Sequence, residues 1–301
     1  MFADDNEATS SSLISDPPKS KKPKQRISHF INVSFRFNVS PILRKEICLE
    51  TVPLEEFYII IVEVPAIIGK VLSALPPLSN NYSHLKRVKN GRILVQPLSS
   101  HLPVNFIEQL CTQHHLPTDG LSLSTTLVPK VKPISNKQFQ WAKSYWPTSF
   151  HCNKTLESLL NGTFMEDEEK KKIISFFLEA EKVGNRKCGC VIVDRAGLVV
   201  AKGGEETTPL GHAVMNAVSA LCKSHCAQGS DVVQYLGTGF DVFVTDEPCA
   251  MCAMALVHFR VGRVFFNKKN EKEGALESVW RIQEEQRLNH QYSVFRIDEV
   301  F

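Results

Sequence analysis

Three side chains able to bind a metal stand at informative spacing: Cys249 and Cys252 in Pro248-Cys-Ala-Met-Cys252, and His212 in Gly211-His-Ala-Val214. Cysteines at i and i+3 project from one face of a helix's first turn, and a proline just before them pre-sets the backbone for a helix start. Together they can grip one ion. A helix amino terminus also lowers thiol pKa values, which favours the thiolates that zinc takes, and His212 at the head of a second expected helix can add a neutral nitrogen. Two thiolates and one imidazole around Zn²⁺ give a formally neutral site with a fourth position for water or another ligand.

A Cys-x-x-Cys pair alone is equally compatible with a redox dithiol or plain burial. Pro-Cys-x-x-Cys after a strand, preceded by His-Ala-x opening a helix, is the zinc deaminase pattern, in which His-x-Glu supplies a proton-shuttling Glu that does not bind the metal. Here Val214 holds the place of that Glu. The carboxylate of a deaminase takes a proton from zinc-bound water and delivers it to the ring nitrogen and the leaving amine, and an isopropyl group can do neither. General acid–base help of this kind is worth about 10²- to 10⁴-fold in rate. Glu205, Glu206 and Glu247 are the nearby carboxylates that could substitute. The first two fall in the loop before the His212 helix, and Glu247 adjoins the ligand turn, where capping or hydrogen bonding is its expected task. A zinc or thiol pair serving only fold stability is the bland alternative.

Other reactive side chains have plainer readings. Cys222, His225 and Cys226, at i, i+3 and i+4, are expected to form one partly buried side of the His212 helix instead of a second metal site. Cys188 and Cys190 alternate along a strand and pack in the sheet, and His258, far along the ligand helix, is expected in the core or an interface.

The elements that must position these groups follow from the rest of the chain. At roughly 150 residues per domain, 301 residues make about two domains. A hydrophobic share of 43% and a charged share of 22% are ordinary globular values. The apolar stretches Phe57 to Val62 and Cys249 to Val257 fall far short of the ~20 residues a bilayer span needs, so no membrane segment is expected. Asp4, Asp5 and Glu7 stand where a secretory signal carries positive charge, so an intracellular, reducing compartment is expected, where nine cysteines serve metal binding, catalysis or burial. The net charge of +3 neither demands nor forbids a nucleic-acid partner.

Residues 1–27 read as a flexible arm, acidic first and then basic from Lys19 to Arg26, suited to nuclear import or to seeking phosphate and equally readable as a solvated tail. A strand is expected around Ile31 to Phe37. Residues 28–133 form a first domain in which the order from Phe57 to Val128 is β-α-β-β-α-β, the split pattern of a ferredoxin-like α+β fold, with Asn90-Gly91 as a hairpin turn and Leu121 to Leu127 alternating as a strand. Residues 134–160 read as a linker with a short helix ended by Trp146-Pro147. Residues 161–301 form an alternating α/β unit: a helix over 164–183 opened by a Thr163/Glu166 capping box and stopped by Gly184, a hairpin around Asp194 to Gly197, a helix from His212, a strand from Asp241, a helix from Cys249 and a strand from Arg263.

At the level of longer motifs, Thr245 to His258 (Thr-Asp-Glu-Pro-Cys-Ala-Met-Cys-Ala-Met-Ala-Leu-Val-His) resembles the tRNA adenosine deaminases. More narrowly, Pro209-Leu-Gly-His-Ala-Val-Met215, Trp146-Pro-Thr-Ser-Phe150 and Leu288-Asn-His-Gln-Tyr-Ser-Val-Phe295 are similar to the non-catalytic subunits of the eukaryotic heterodimeric tRNA adenosine deaminases, over roughly residues 140–301. The resemblance implies a cytidine-deaminase-like three-layer α/β/α domain behind the smaller α+β domain. It implies Zn²⁺ on His212, Cys249 and Cys252, a sister subunit that retains His-Ala-Glu, and conversion of adenosine to inosine at wobble position 34 of tRNA by the pair. With Val214 in the shuttle position, metal binding carries over and chemistry does not. Presence in nucleus and cytoplasm is expected, with the balance between them left open by the sequence. Trp280, Tyr292 and Phe295 fall in a carboxy-terminal extension that, in this resemblance, can pack across a subunit boundary or approach the metal.

A deaminase pocket reaches only an extruded or single-stranded base, so choosing whole tRNAs calls for wider contact with backbone and shape. The expected surface is His84 to Arg92, with Lys86, Arg87, Lys89 and Arg92 around the hairpin, plus Lys130 and Lys132 and the basic arm as an auxiliary. Basic hairpins are commonly just solvated faces. A rival reading from another class is an autonomous zinc hydrolase acting on a free nucleoside or base through an unorthodox acid.

Overall fold

The computed structural model describes residues 37–227 and 236–300, so the arm at 1–27 and the start of the strand expected at Ile31 lie outside the described residues. The described chain opens on β1 (Phe37–Pro41) and a single helical turn, α1 (Lys45–Cys48). Then come β2 (Leu54–Val62), α2 (Ile68–Ala74), β3 (Val88–Lys89), β4 (Arg92–Pro97), α3 (Phe106–His114) and β5 (Leu121–Pro129). The strands β2 to β5 form an antiparallel sheet in the order β3-β4-β2-β5, which is the ferredoxin-like arrangement expected from the split pattern.

Alternation along β2 explains why this sheet needs covering on both sides. Ile60 and Val62 face Val71 of α2, Leu75 just past its end and Leu110 of α3, while Phe57 and Ile59 face the opposite way. At the hairpin, Asn90 and Gly91 take φ of 47° and 75°, the left-handed values of a tight two-residue turn. Gly91 docks on the end of β2, where the Val62 N–H donates to its carbonyl at 2.7 Å and a Cβ would meet Val62 O. The alternation read in β5 does not yield a buried face, because β5 is an edge strand and Leu123 and Leu127 are exposed.

The second face of the small sheet is closed by the segment expected as a linker. Helix α4 (Asn136–Tyr145), capped by Ser135 accepting from the Gln138 N–H, delivers Trp146 against Phe57, Ile59, Leu94 and Val128. Trp146 is 1% exposed, its Nε1 donates to Lys86 O at 2.7 Å, and Leu85 bridges Thr148. Helix α5 (Lys154–Leu160) follows. Residues 136–148 are therefore part of the packing of the first sheet, and the burial available to the Trp146 indole is the physical reason.

The remaining elements are α6 (Asp167–Gly184), β6 (Gly189–Val193), β7 (Val199–Gly204), α7 (Ala213–Ala227), β8 (Asp241–Asp246), α8 (Ala250–Phe259), β9 (Arg263–Lys268) and β10 (Ser293–Glu299). The large sheet has the order β1-β10-β9-β8-β6-β7, with β8, β9 and β10 parallel and the other pairings antiparallel. Its strands carry apolar residues on both faces. Val191, Phe243, Phe265 and Ile297 lie under Ile173 and Phe177 of α6, whereas Ile192, Val242, Val264 and Phe266 lie under Ala217 and Leu221 of α7 and Leu256 of α8. The result is the three-layer α/β/α domain that was expected.

Three expectations need correction here. Strand β1 does not belong to the first domain: Phe37 to Pro41 pair with Glu299 to Phe295 of β10 and close the edge of the large sheet. The Thr163/Glu166 capping box does not form, because the Thr163 N–H closes α5 on Ser158 O, and α6 starts at Asp167 with three acids in its first turn complementing the helix dipole. Gly184 does not supply the left-handed stop. Asn185 does, at φ 45°, while Gly184 lets α6 approach Gly189 of β6 so closely that a Cβ would strike the Gly189 backbone.

Candidate metal centre

The carboxyl end of β8 and the hairpin β6–β7 place the three ligands. Chain leaving β8 at Asp246 passes Glu247 and Pro248 to Cys249, which is the N-cap of α8 in an extended conformation. The helix thus begins at Ala250, one residue later than expected, with Cys252 in its first turn and buried. On the other side Gly211 and His212 precede α7, where the Asn216 N–H donates to His212 O at 3.0 Å and Asn216 Nδ2 donates to Gly204 O at 2.8 Å. Gly203 lets α7 lie close on the sheet, since a Cβ there would run into Ala213 O and Ala217 N.

His212 Nδ1 lies 3.6 Å from Cys249 Sγ and 3.6 Å from Cys252 Sγ, and the three ligand atoms fall within 4.8 Å of one another. Zinc bonds of about 2.3 Å to sulfur and about 2.0–2.1 Å to nitrogen, at a tetrahedral angle, put S and N about 3.6 Å apart. The donor set and its spacing therefore fit zinc. Burial, then the neighbouring Cys249, push the Cys252 thiol above its ordinary range, so its thiolate form calls for a cation beside it.

The ligands sit in a cleft of about 500 Å³ that also has Cys188, Val214, Asp246 and Asn270 in its walls and Arg186, Lys187 and Lys268 around it. Val214 is 2% exposed and packs in the same apolar cluster as Ala217 and Leu221. Carboxylates reach the cleft wall at Glu205, Asp246, Glu247 and Glu273, none of them at the position Val214 holds. Glu247 is spent: Oε1 accepts from the N–H groups of Leu276, Glu277 and Ser278, and Oε2 accepts from Asn270 N–H and the Ser278 hydroxyl. Burial alone would raise its pKa, but the donors from Ser278, Glu277 and Asn270 outweigh it and hold the carboxyl below the ordinary value. Glu205 lines the cleft and accepts from Cys188 N–H at 3.2 Å. Glu206 is exposed, away from the lining, with its backbone N–H donating to Gly211 O. Bound zinc would polarise water or a substrate oxygen. His212, Cys249 and Cys252 would hold that ion, and Val214 offers no atom to carry a proton.

The other expected site residues separate into an exposed group and a group committed to hydrogen bonds. Lys86, Arg92, Lys130 and Lys132 are exposed, with Lys130 3.9 Å from Glu55. Arg87 is half-buried and donates to Pro76 O, and burial lowers its pKa. Lys89 donates to Tyr145 O at 2.8 Å and lies over the Trp146 ring, and His84 is buried with Nε2 3.0 Å from Pro129 O. Two of the four hairpin cations are therefore committed, Lys89 to the junction at Tyr145 and Trp146 and Arg87 to Pro76 O within the first domain.

Among the thiols, Cys190 is in the core as expected, whereas Cys188 is half-buried at the cleft, its thiol pushed up to about 11 by burial. Cys222 and Cys226 are exposed rather than partly buried, and the His225 side chain lies outside the described residues. His258 is exposed in this chain and not in its core, because it points from the last turn of α8 away from the sheet. Tyr292 is buried with its hydroxyl donating to Ala253 O, Phe295 stacks on Phe164 and Phe265, and Trp280 is 62% exposed. Sequence reading missed Asn270 and the loop after it, whose residues carry no periodic pattern.

Residues 167–268 match the cytidine and deoxycytidylate deaminase zinc-binding region. A Saccharomyces cerevisiae protein named tRNA-specific adenosine deaminase subunit TAD3 is 29% identical over 185 residues, 56% of each chain. The human protein named probable inactive tRNA-specific adenosine deaminase-like protein 3 is 31% identical over 279 residues, covering 75% of this chain and 79% of its own. The mouse protein of the same name is 31% identical over 275 residues, covering 75% of this chain and 78% of its own. With that extent of shared sequence in both mammals, the chain belongs to the family of tRNA-specific adenosine deaminase-like protein 3.

Proposed function

We propose that this chain is the non-catalytic subunit of a heterodimeric tRNA adenosine deaminase that makes inosine at wobble position 34. It holds zinc on His212, Cys249 and Cys252, pairs with a sister subunit that retains the shuttle Glu, and brings tRNA to it. The single observation that carries the reading is Val214, a buried aliphatic side chain beside three converging donors whose spacing fits zinc. An autonomous hydrolase needs a carboxylate to take over the shuttle. Glu247 has both oxygens engaged, and Glu205 spends one oxygen on the Cys188 N–H.

In this reading Lys86, Arg92, Lys130 and Lys132 of the first domain meet tRNA phosphates, while Arg87 and Lys89 hold the hairpin in place. No helix among the described residues is long and apolar enough to cross a membrane. Reconstitution tests the proposal. Inosine forms in tRNA only when this chain is combined with a deaminase subunit carrying His-Ala-Glu, and steady ammonia release by the purified chain alone would overturn it. Purification from cells, with identification of tightly bound protein and RNA, tests partner and substrate together.

A further inference from the structure

Glu247 lies between the last residue of β8 and Cys249, and the residue is 2% exposed. Its donors come from one loop. Leu276, Glu277 and Ser278 N–H converge on Oε1 at 3.0, 2.6 and 2.9 Å, and Asn270 N–H reaches Oε2 at 3.1 Å, with the Ser278 hydroxyl beside it. A buried carboxylate surrounded by donors is a strong local anchor, because each bond is charge-assisted and water cannot compete.

The anchored loop then touches the ligand turn directly. Ala275 N–H donates to Pro248 O at 2.9 Å, and Gly274 forms an antiparallel bridge with Cys249. Gly274 leaves no room for a Cβ, since one there would collide with the Glu247 carboxylate. From the opposite side the Glu247 N–H donates to Lys268 O at 2.7 Å, tying the turn to β9. Pro248 and Cys249 are thus clamped between β9 and a loop that converges on one side chain. Ligand geometry tolerates errors of only about 0.5 Å, so whatever holds this backbone sets how well the ion is held.

We propose that Glu247 is a positioning residue of the metal centre: by gathering loop 270–278 against Pro248 and Cys249 it fixes the Cys249 sulfur at the spacing from His212 that a tetrahedral ion requires. The role rests on the zinc reading of the site. Glutamine keeps the shape of the side chain but turns an NH₂ toward the Asn270 N–H or the three amides of 276–278, opposing donor to donor. Such outer partners of ligands typically change metal affinity by about 10- to 100-fold.

The test is zinc affinity of the full chain, by competition with a chromophoric chelator, alongside melting of the metal-free chain. Glu247→Gln is expected to weaken zinc by about 10- to 100-fold. Ser278→Ala, which removes one partner of Oε2, is expected to weaken it by roughly threefold or more, and it carries the test should Glu247→Gln not fold. Gln138→Ala is the control for a merely structural role: Gln138 is equally buried, bonds Glu46 O and Leu49 O far from the cleft, and its loss lowers melting with zinc affinity unchanged. Wild-type affinity in Glu247→Gln, or in Ser278→Ala where that variant carries the test, overturns the proposal alone. A wild-type chain that takes up no zinc overturns the metal centre and this role with it.

Discussion

His212 Nδ1 stands 3.6 Å from Cys252 Sγ although 40 residues separate them, because α7 and α8 both begin at the same end of the large sheet and lie side by side on one of its faces. Removing either partner leaves two ligands, too few for a closed structural site. Cys252→Ala is therefore expected to lose bound zinc and to melt at lower temperature, while Cys222→Ala and Cys226→Ala keep one equivalent of zinc because those thiols are exposed on α7. Metal content per chain, measured after extensive dialysis, decides. Full retention of zinc by Cys252→Ala would remove it from the ligand set.

Val214 faces the cleft yet belongs to the core. Val214→Ala deletes two methyl groups from the cluster with Ala217 and Leu221, at a cost of about 1–3 kcal/mol. Inosine formation by the reconstituted pair should stay within about twofold, since truncation removes no group able to transfer a proton. A loss of activity much larger than the loss of folded protein, measured on the same preparation, would give Val214 a role in chemistry.

The convergence of His212, Cys249 and Cys252 was legible because Pro-Cys-x-x-Cys and His-Ala specify both residue type and helix position, and the ferredoxin-like order was legible because the alternation of β2 and the Asn90-Gly91 turn are local signals. Pairings distant in sequence left no such trace. Strand β1 meets β10 across some two hundred and fifty residues, and nothing in Phe37 to Pro41 names its partner. Glu247 could be guessed as a hydrogen-bonding residue, but its donors are backbone amides of 270–278, which any sequence carries. Arg87 and Lys89 looked like free cations because their partners, Pro76 O for one and Tyr145 O with the Trp146 ring for the other, are set by packing and not by local pattern.

That division within the hairpin makes a sharp prediction. Charge removal at Lys86, Arg92, Lys130 and Lys132 should weaken tRNA binding and flatten its salt dependence, each lost phosphate contact lowering the slope of log K against log salt by roughly 0.7–0.9. Arg87→Ala should act chiefly on stability, by loosening the turn that rests on Pro76 O. Binding over a salt series, with pairing to the sister subunit as a control, separates the two. An unchanged slope in the four-residue variant would reject this surface.

Trp146 ties the junction to the first sheet, and its loss should be costly in a specific way. Trp146→Ala empties the space against Phe57, Ile59, Leu94 and Val128 and leaves Lys86 O without its donor, at about 3–5 kcal/mol. Trp146→Phe keeps much of the apolar contact and loses the hydrogen bond, at about 1–3 kcal/mol. Denaturant melts of the metal-loaded chain should show the first domain unfolding earlier while zinc stays bound, because the ligands belong to the large sheet. Release of zinc in step with that early transition would mean that the two sheets unfold as one cooperative unit.

Tyr292 extends the same reasoning to pH. Burial pushes its phenol well above the ordinary tyrosine value of about 10, and its hydroxyl donates to Ala253 O at 3.1 Å. A group whose folded pKa is raised contributes stability that is complete below its unfolded pKa and is lost as pH climbs toward the folded one. Wild-type stability should thus fall above pH of about 10, and Tyr292→Phe should soften that alkaline limb while costing about 0.5–1.5 kcal/mol at neutral pH. Melting temperatures taken across the alkaline range compare the two chains, and parallel curves would show that ionisation of Tyr292 does not limit the fold.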